Sequence, residues 1–291
     1  METKANPKLS RRQFVVRSSL LTLGGLGVYA FGVEPRWISV EYHDLPIEGL
    51  PIDLDGATAV QISDTHVGSR VSDSFLLKQF DFVQSLNPEF VFFTGDYLDN
   101  GSKWHLQKGL GLLDRFPRGS IGNASVLGNH DFGEGGRRVE LFAANTSELV
   151  RQFNAAGLNL LQEETIDLGG LKVVGLKDYW FGGFSNVGAR NAIVDASTGP
   201  SIVLSHNPDT VDLPIWDNYN GCVLCGHTHG GQCRFPIFGA PVCPVRNKRY
   251  LSGFYDIDGG HKMYINRGIG HTRRVRFMSR PEITVFTLKT A

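Results

Sequence analysis

Short apolar runs that end in Asp, His or Asn recur along the chain. TAVQISD (Thr58 to Asp64), EFVFFTGD (Glu89 to Asp96), ASVLGNHD (Ala124 to Asp131), SIVLSHNPD (Ser201 to Asp209) and GCVLCGHTH (Gly221 to His229) each read as a buried strand running into a polar loop. Arg36 to Leu45 alternates like a half-buried strand, and LKVVGLKD, HKMYINRG and EITVFTL add further strands in the second half. Helical spacing lies between the early strands. Asp73 to Asn87 sets Phe75, Leu76, Phe80 and Val83 on one face with Asp73 as its cap, Lys103 to Arg115 follows, and Arg137 to Ala156 is closed by Gly157. An early β-α-β-α-β order followed by strand-rich sequence predicts an α/β fold of two sheets packed face to face with helices outside. No repeat or long linker divides residues 36–291, which read as a single domain.

Residues 1–35 follow a different pattern. Lys4, Lys8, Arg11, Arg12 and Arg17 precede the uncharged stretch Ser18 to Val33, a basic region followed by an apolar one. That stretch, with its four glycines, falls short of the ~20 residues of a comfortable membrane span. SRRQF at Ser10 to Phe14 resembles the twin-arginine export signal, and Val28-Tyr29-Ala30 is the only near match to a cleavage site. The leader is therefore expected to be an export signal or a retained membrane anchor that holds the protein at a membrane surface.

Composition narrows the class. The chain is 41% hydrophobic and 20% charged, a profile that supports a sizeable core. Lys+Arg and Asp+Glu are equal at 29 each, so no net field draws it to nucleic acid, and no nucleic-acid partner is expected. The four cysteines are too few to staple a protein of this size. Cys222 and Cys225 stand three apart on a strand, point to opposite faces, and are expected to pack in the core rather than share a metal.

The polar strand ends carry the chemistry. Asp64-x-His66, Asp96, Asn129-His130-Asp131, His206 and His227-x-His229 all follow apolar strands, and ligands bind outside the carboxyl ends of strands in α/β sheets. Five of the nine histidines are used this way, while His43, His105, His261 and His271 lack the context and read as surface or core residues. Imidazole, carboxylate and amide donors without thiolate suit Mn, Fe or Zn. Asp64, His66, Asp96, Asn129, His206, His227 and His229 are too many for one catalytic ion but enough for two divalent ions sharing a bridge. Two such ions carry four positive charges, of which Asp64 and Asp96 neutralise two, leaving the field that phosphoryl transfer needs.

Taken in order, D-x-H, GD, GNHD, H and GHTH resemble the motifs of the calcineurin-like metallophosphoesterases over roughly Thr58 to Ala291. The resemblance implies an αββα sandwich of two mixed sheets flanked by helices. It implies one metal on Asp64, His66, Asp96 and His229, the other on Asp96, Asn129, His206 and His227, and His130 as general acid. GDYLDNG is similar to the phosphoprotein-phosphatase motif GDYVDRG, whose second Asp implies that Asp99 orients His130 by a hydrogen bond. Asn100 stands where those phosphatases carry a phosphate-clamping arginine.

LCGHTHGGQCRFP, NKRYLSGF, NRGIG and SRPEITVFTL resemble a bacterial, membrane-anchored phosphodiesterase branch of the family. That likeness implies a diester or pyrophosphate substrate such as UDP-2,3-diacylglucosamine, a lipid A precursor. Arg246, Lys248 and Arg249, with Arg267, Arg273, Arg274 and Arg276, form a basic cluster that reads either as a site for substrate phosphates or anionic headgroups or as a solvated basic face. The alternatives are an exported broad-specificity phosphatase and a metal-binding scaffold without turnover. A twin-arginine signal implies the extracytoplasmic side of the inner membrane, and a UDP-linked lipid implies the cytosolic face.

Overall fold

Alternation along the strands sets the layers, because each inner strand has two faces to bury. The computed structural model describes residues 10–133 and 139–291. β1 (Ser39–Ile47), β2 (Thr58–Ile62), β3 (Phe90–Thr94), β4 (Gly122–Val126) and β11 (Glu282–Thr290) form one sheet in the order β1-β11-β2-β3-β4, mixed because β11 runs antiparallel to β2. The second sheet, β5-β6-β7-β8-β10-β9, comprises β5 (Glu164–Leu168), β6 (Leu171–Gly175), β7 (Ser201–Leu204), β8 (Cys222–Cys225), β9 (Gly253–Asp256) and β10 (Lys262–Ile265). It is parallel from β6 to β10 and antiparallel at both edges.

Phe90 and Phe92 point between the sheets, where they meet Val173, Ile202, Leu224 and Tyr264. Val91 and Phe93 point the other way, against α2 (Asp73–Ser85), α3 (Lys103–Leu110) and α4 (Val139–Ala155), through Leu76, Phe80, Leu106, Leu149 and Phe153. α5 (Asn186–Ala196) covers the outer face of the second sheet with Ala189 and Ile193. The αββα sandwich of two mixed sheets is therefore as expected. Cys222 lies in the inter-sheet core and Cys225 on the opposite face, so the two thiols point apart. The buried Gln61 side chain donates to Thr94 Oγ1 at 3.0 Å and to the Cys225 carbonyl at 2.9 Å. It ties together three of the strands whose ends carry the polar loops.

Several boundaries differ from the sequence reading. Ser72, not Asp73, precedes α2, and Asp73 instead pairs with Lys108 Nζ at 2.9 Å. The helix expected to reach Arg115 stops at Leu110, and a 3-10 turn covers Leu113–Arg115. The expected helix start at Arg137, together with Lys4 and Lys8, lies outside the described residues. β5, β9 and α5 have no clear signature in the sequence pattern. β5 and β9 are edge strands with little apolar burial, and α5 buries only Ala189, Ala192, Ile193 and Ala196.

At the N-terminus, α1 (Arg11–Val28) opens with a Ser10–Gln13 capping box and buries none of its residues. Helical structure continues to Arg36, and this 26-residue segment is long and apolar enough to cross a membrane. It meets the body through Glu34, whose carboxylate accepts the N–H groups of Met278 and Ser279 at 2.9 and 2.5 Å.

Candidate metal centre

The polar loops after β2, β3, β4, β7 and β8 converge on one spot. Asp64, His66 and His229 place ligand atoms together in one cluster, and Asp96, His206 and His227 form a second. Asp96 lies between them, with Oδ2 3.6 Å from His66 Nε2 and 3.2 Å from His206 Nε2. Asn129 Oδ1 is 3.3 Å from His206 Nε2, and His227 Nδ1 is 3.1 Å from the same nitrogen. All seven residues singled out as ligands are thus brought together. His130 and Asp99 stand beside them, and the His130 ring lies 4.7 Å from that of His66.

The backbone is strained where these side chains turn inward. Asp64, His66, Asp96, His227 and His229 all have left-handed φ, between 46° and 72°. Non-glycine residues rarely adopt that region, and they hold it where the surroundings over-determine it. Glycines supply the room. A Cβ on Gly128 would lie 2.2 Å from Asp96 Oδ1, and one on Gly226 would lie 2.0 Å from Ser63 Oγ and 2.5 Å from Asp64 Oδ2.

Main-chain carbonyls fix two of the rings. A carbonyl only accepts, so Thr94 O, 2.7 Å from His206 Nδ1, and Pro244 O, 2.6 Å from His227 Nε2, each hold a ring N–H. That leaves His206 Nε2 and His227 Nδ1 as the nitrogens facing the cluster, the ones that would offer a lone pair to a bound metal.

The charges also suit a cation. Burial keeps His66 and His229 far below the usual imidazole range, and burial pushes His227 down to about 3. His66 Nε2 and His229 Nε2 nevertheless face each other at 3.0 Å, a repulsive contact between lone pairs unless a proton or metal lies between. Burial raises Asp64 to about 6. Burial alone would lower His206, but Asp96, Asp64 and Asp178 outweigh it and carry the ring up to about 10. Without metal, His206 is the counter-charge to Asp96. The donor set therefore fits divalent cations.

Two features of the sequence reading need correction. His130 Nδ1 does bond Asp99, but the acceptor is the Asp99 main-chain carbonyl, at 2.8 Å, and not its carboxylate. The carboxylate instead accepts two bonds from Arg70 Nη1, at 2.7 and 2.5 Å, because the loop turns it toward the start of α2. The basic cluster is likewise divided. Arg276 is fully buried and donates to the carbonyls of His229, Ser279, Arg267, Gly268 and Gly270, so it shapes the loop and cannot reach a substrate. Arg267 pairs with Glu41 and Glu282, and Arg246 and Arg249 bond Tyr179 and Tyr250. Within that cluster, Arg273 lines the cavity at the site.

Other groups at the site gain their part only from the fold. Arg70 lines the cavity, and its only signal was its place four residues after His66. The buried Asp131 carboxylate accepts the N–H groups of Tyr97, Leu98 and Gly128, which joins the Asp96 and Asn129 loops. Trp180 packs edge-on against His227 at 4.6 Å. His105 and His271, read as surface or core, lie in the layer behind the site. His105 Nε2 is 3.8 Å from Asp99 Oδ2, and His271 Nε2 is 3.3 Å from the Arg70 carbonyl.

The clusters floor a cavity of about 590 Å³ walled by Arg70, His130, Trp180, Val242, Arg273 and Val275 among others. A metal-ligand cluster at converging strand ends, open to such a cavity, defines the class of metal-dependent hydrolases. Residues 57–231 match the calcineurin-like phosphoesterase family, and the chain belongs to it. It is 33% identical to the Bacillus subtilis protein described as uncharacterized metallophosphoesterase YkuE, over 97% of this chain and 99% of that one. Identity is 28% to the Escherichia coli phosphodiesterase YaeI, over 96% and 99% of the two chains. It is 26% to the Chlamydia muridarum UDP-2,3-diacylglucosamine pyrophosphatase LpxG, over 89% and 91%. The protein is a metal-dependent phosphoesterase.

Proposed function

We propose that the protein is a two-metal phosphodiesterase or pyrophosphatase acting at a membrane on a lipid-linked or nucleotide-linked substrate of the UDP-2,3-diacylglucosamine kind. The observation that carries this reading is Asp96 Oδ2, poised between two donor clusters beneath a cavity lined in part by apolar side chains. Asp64, His66 and His229 would hold one ion, Asn129, His206 and His227 the other, and Asp96 both. Mn, Fe and Zn suit this donor set. When bound, such a pair supplies positive charge to the phosphoryl oxygens and makes water nucleophilic at neutral pH.

The chain's own groups would do the rest. With Nδ1–H given to the Asp99 carbonyl, His130 Nε2 is the nitrogen free to hand a proton to the leaving oxygen. Arg70 and Arg273 supply guanidinium donors at the cavity wall in place of the arginine that Asn100 displaces. Trp180, Pro241, Val242 and Val275 offer an apolar surface to an acyl or aromatic leaving group. The α1 segment supports membrane association, and a compartment reporter fused to the C-terminus separates export through Ser10 to Phe14 from a cytosol-facing anchor.

The test is substrate preference. We expect kcat/KM to be higher on bis(p-nitrophenyl) phosphate than on p-nitrophenyl phosphate, and higher again on a UDP-linked acylated sugar. Preference for the monoester, with no diester cleaved, would leave a phosphatase in its place. Elemental analysis tests the metal count: Asp96→Ala should hold fewer than two ions per chain, and two full equivalents in that variant would remove the bridging role.

A further inference from the structure

Apolar surface continues beyond the helix that could cross a membrane. Residues Phe235–Gly239 form a tight hairpin, closed by reciprocal main-chain bonds between Phe235 and Gly239 at 2.8 and 2.9 Å. Its tip presents Ile237, 99% exposed, and Phe238, 84% exposed. Ile237 has φ 74°, a conformation that β-branched residues rarely adopt and that Gly or Asn would hold without strain. A turn selected only for water would not carry two large apolar side chains at that position.

The hairpin shares its support with the end of the helical segment. The Phe277 ring meets Tyr29 edge-on at 6.3 Å and Phe235 at 5.5 Å. The Arg276 N–H donates to the Ala30 carbonyl at 2.9 Å, one residue from Phe277. Trp37, just past the helix, is exposed beneath the Arg280 guanidinium at 4.2 Å, an aromatic and basic pair suited to a headgroup layer. Arg273 and Arg274 are exposed on the strip that runs beside the hairpin base, bonded to it through Gln232. From the hairpin the chain continues into Pro241 and Val242 at the cavity wall and to Pro244, whose carbonyl holds His227.

We propose that the Phe235–Gly239 hairpin is a bilayer-docking element. Ile237 and Phe238 enter the boundary between headgroups and acyl chains, Arg273 and Arg274 face anionic headgroups, and the cavity over the metal site opens at the membrane surface. Apolar tips flanked by arginine are the composition that such interfaces bind. The partner is an anionic phospholipid bilayer, and the substrate class that follows is a phosphoester resident in it. This rests on the membrane reading of the helical segment made above.

The test uses the full chain in nanodiscs of phosphatidylethanolamine doped with phosphatidylglycerol. Phe238→Trp should add emission that is blue-shifted and quenched by phospholipid brominated high on its acyl chains, relative to the parent protein. Unchanged turnover of bis(p-nitrophenyl) phosphate by that variant shows the fold and site intact. Added emission that iodide quenches and brominated lipid does not would overturn the docking element while leaving the anchor in place. Protection from both quenchers, with a doubled mass in sedimentation, would assign the hairpin to a second copy of the chain and overturn it too. If the parent protein fails to enter nanodiscs, the membrane reading itself fails, and that outcome is seen before any variant is made.

Discussion

At the scale of single residues, Asp99 serves two neighbours with two different groups. Its carbonyl holds the His130 ring, and its buried carboxylate holds Arg70. The two substitutions should therefore separate kinetically. His130→Ala is expected to keep its metals and lose roughly 10²–10⁴-fold in kcat on a substrate with a poor leaving group, the usual worth of a general acid. Near-full turnover by that variant would end the acid role. Asp99→Asn keeps the main-chain carbonyl but weakens the charge-assisted bonds to Arg70, so it should raise KM with little change in kcat, as should Arg70→Lys. A fall in kcat for Asp99→Asn equal to that of His130→Ala, at constant KM, would mean that the carboxylate tunes the ring after all.

At the scale of elements, a strand and its following turn form the working unit, and glycine sets how tightly the turn can close. Gly128→Ala puts a methyl group 2.2 Å from Asp96 Oδ1, so metal content and activity should fall together; full metal occupancy would show that the loop yields. A second element-level test lies far from the site. His261, at the entry to β10, is 2% exposed, stacks on Trp216 at 4.8 Å, and has no hydrogen-bond partner on either ring nitrogen among the described residues. Burial lowers it from 6.5 to about 4. The unfolded chain takes up a proton near the higher value that the folded chain refuses until the lower one. Stability from this group is thus present above 6.5 and lost as pH falls to about 4. His261→Phe should flatten the fall in Tm across that window, and a constant offset between the two curves would refute it. The same units explain what was legible. Apolar runs ending in Asp, His or Asn are local patterns, so β2, β3, β4, β7 and β8 and all seven candidate ligands could be read from sequence. β5 and β9 are edge strands whose partners lie outside their own segment, and α5 buries only small residues and one Ile, so their periodicity is faint. Arg70 was invisible because only the folded loop brings it to Asp99. The basic residues near the C-terminus show the opposite case, since proximity in sequence says nothing of the carbonyl cage around Arg276.

At the scale of the whole molecule, the candidate ligands come from both sheets. Asp64, His66, Asp96 and Asn129 follow strands of the five-stranded sheet, and His206, His227 and His229 follow strands of the six-stranded one. Ions held between them would join the two halves of the sandwich at one edge, where Gln61 already links the strands. A ligand that binds only the folded state stabilises it by mass action, by about 4 kcal/mol at a thousandfold excess over its dissociation constant. For a body of this size, about 1 kcal/mol moves Tm by roughly 2–4 °C. Exhaustive chelation should therefore lower Tm by about 10 °C, and adding back Mn or Zn should restore it. Asp96→Ala separates this from a general effect of the chelator: it removes the carboxylate that lies between the two clusters, so its Tm should respond to chelation and to metal clearly less than that of the parent. A parent protein with the same Tm in chelator and in excess metal would mean that the sheets hold each other without the ions. The strained left-handed residues would then be maintained by packing alone, and the centre would be a site built onto a finished fold.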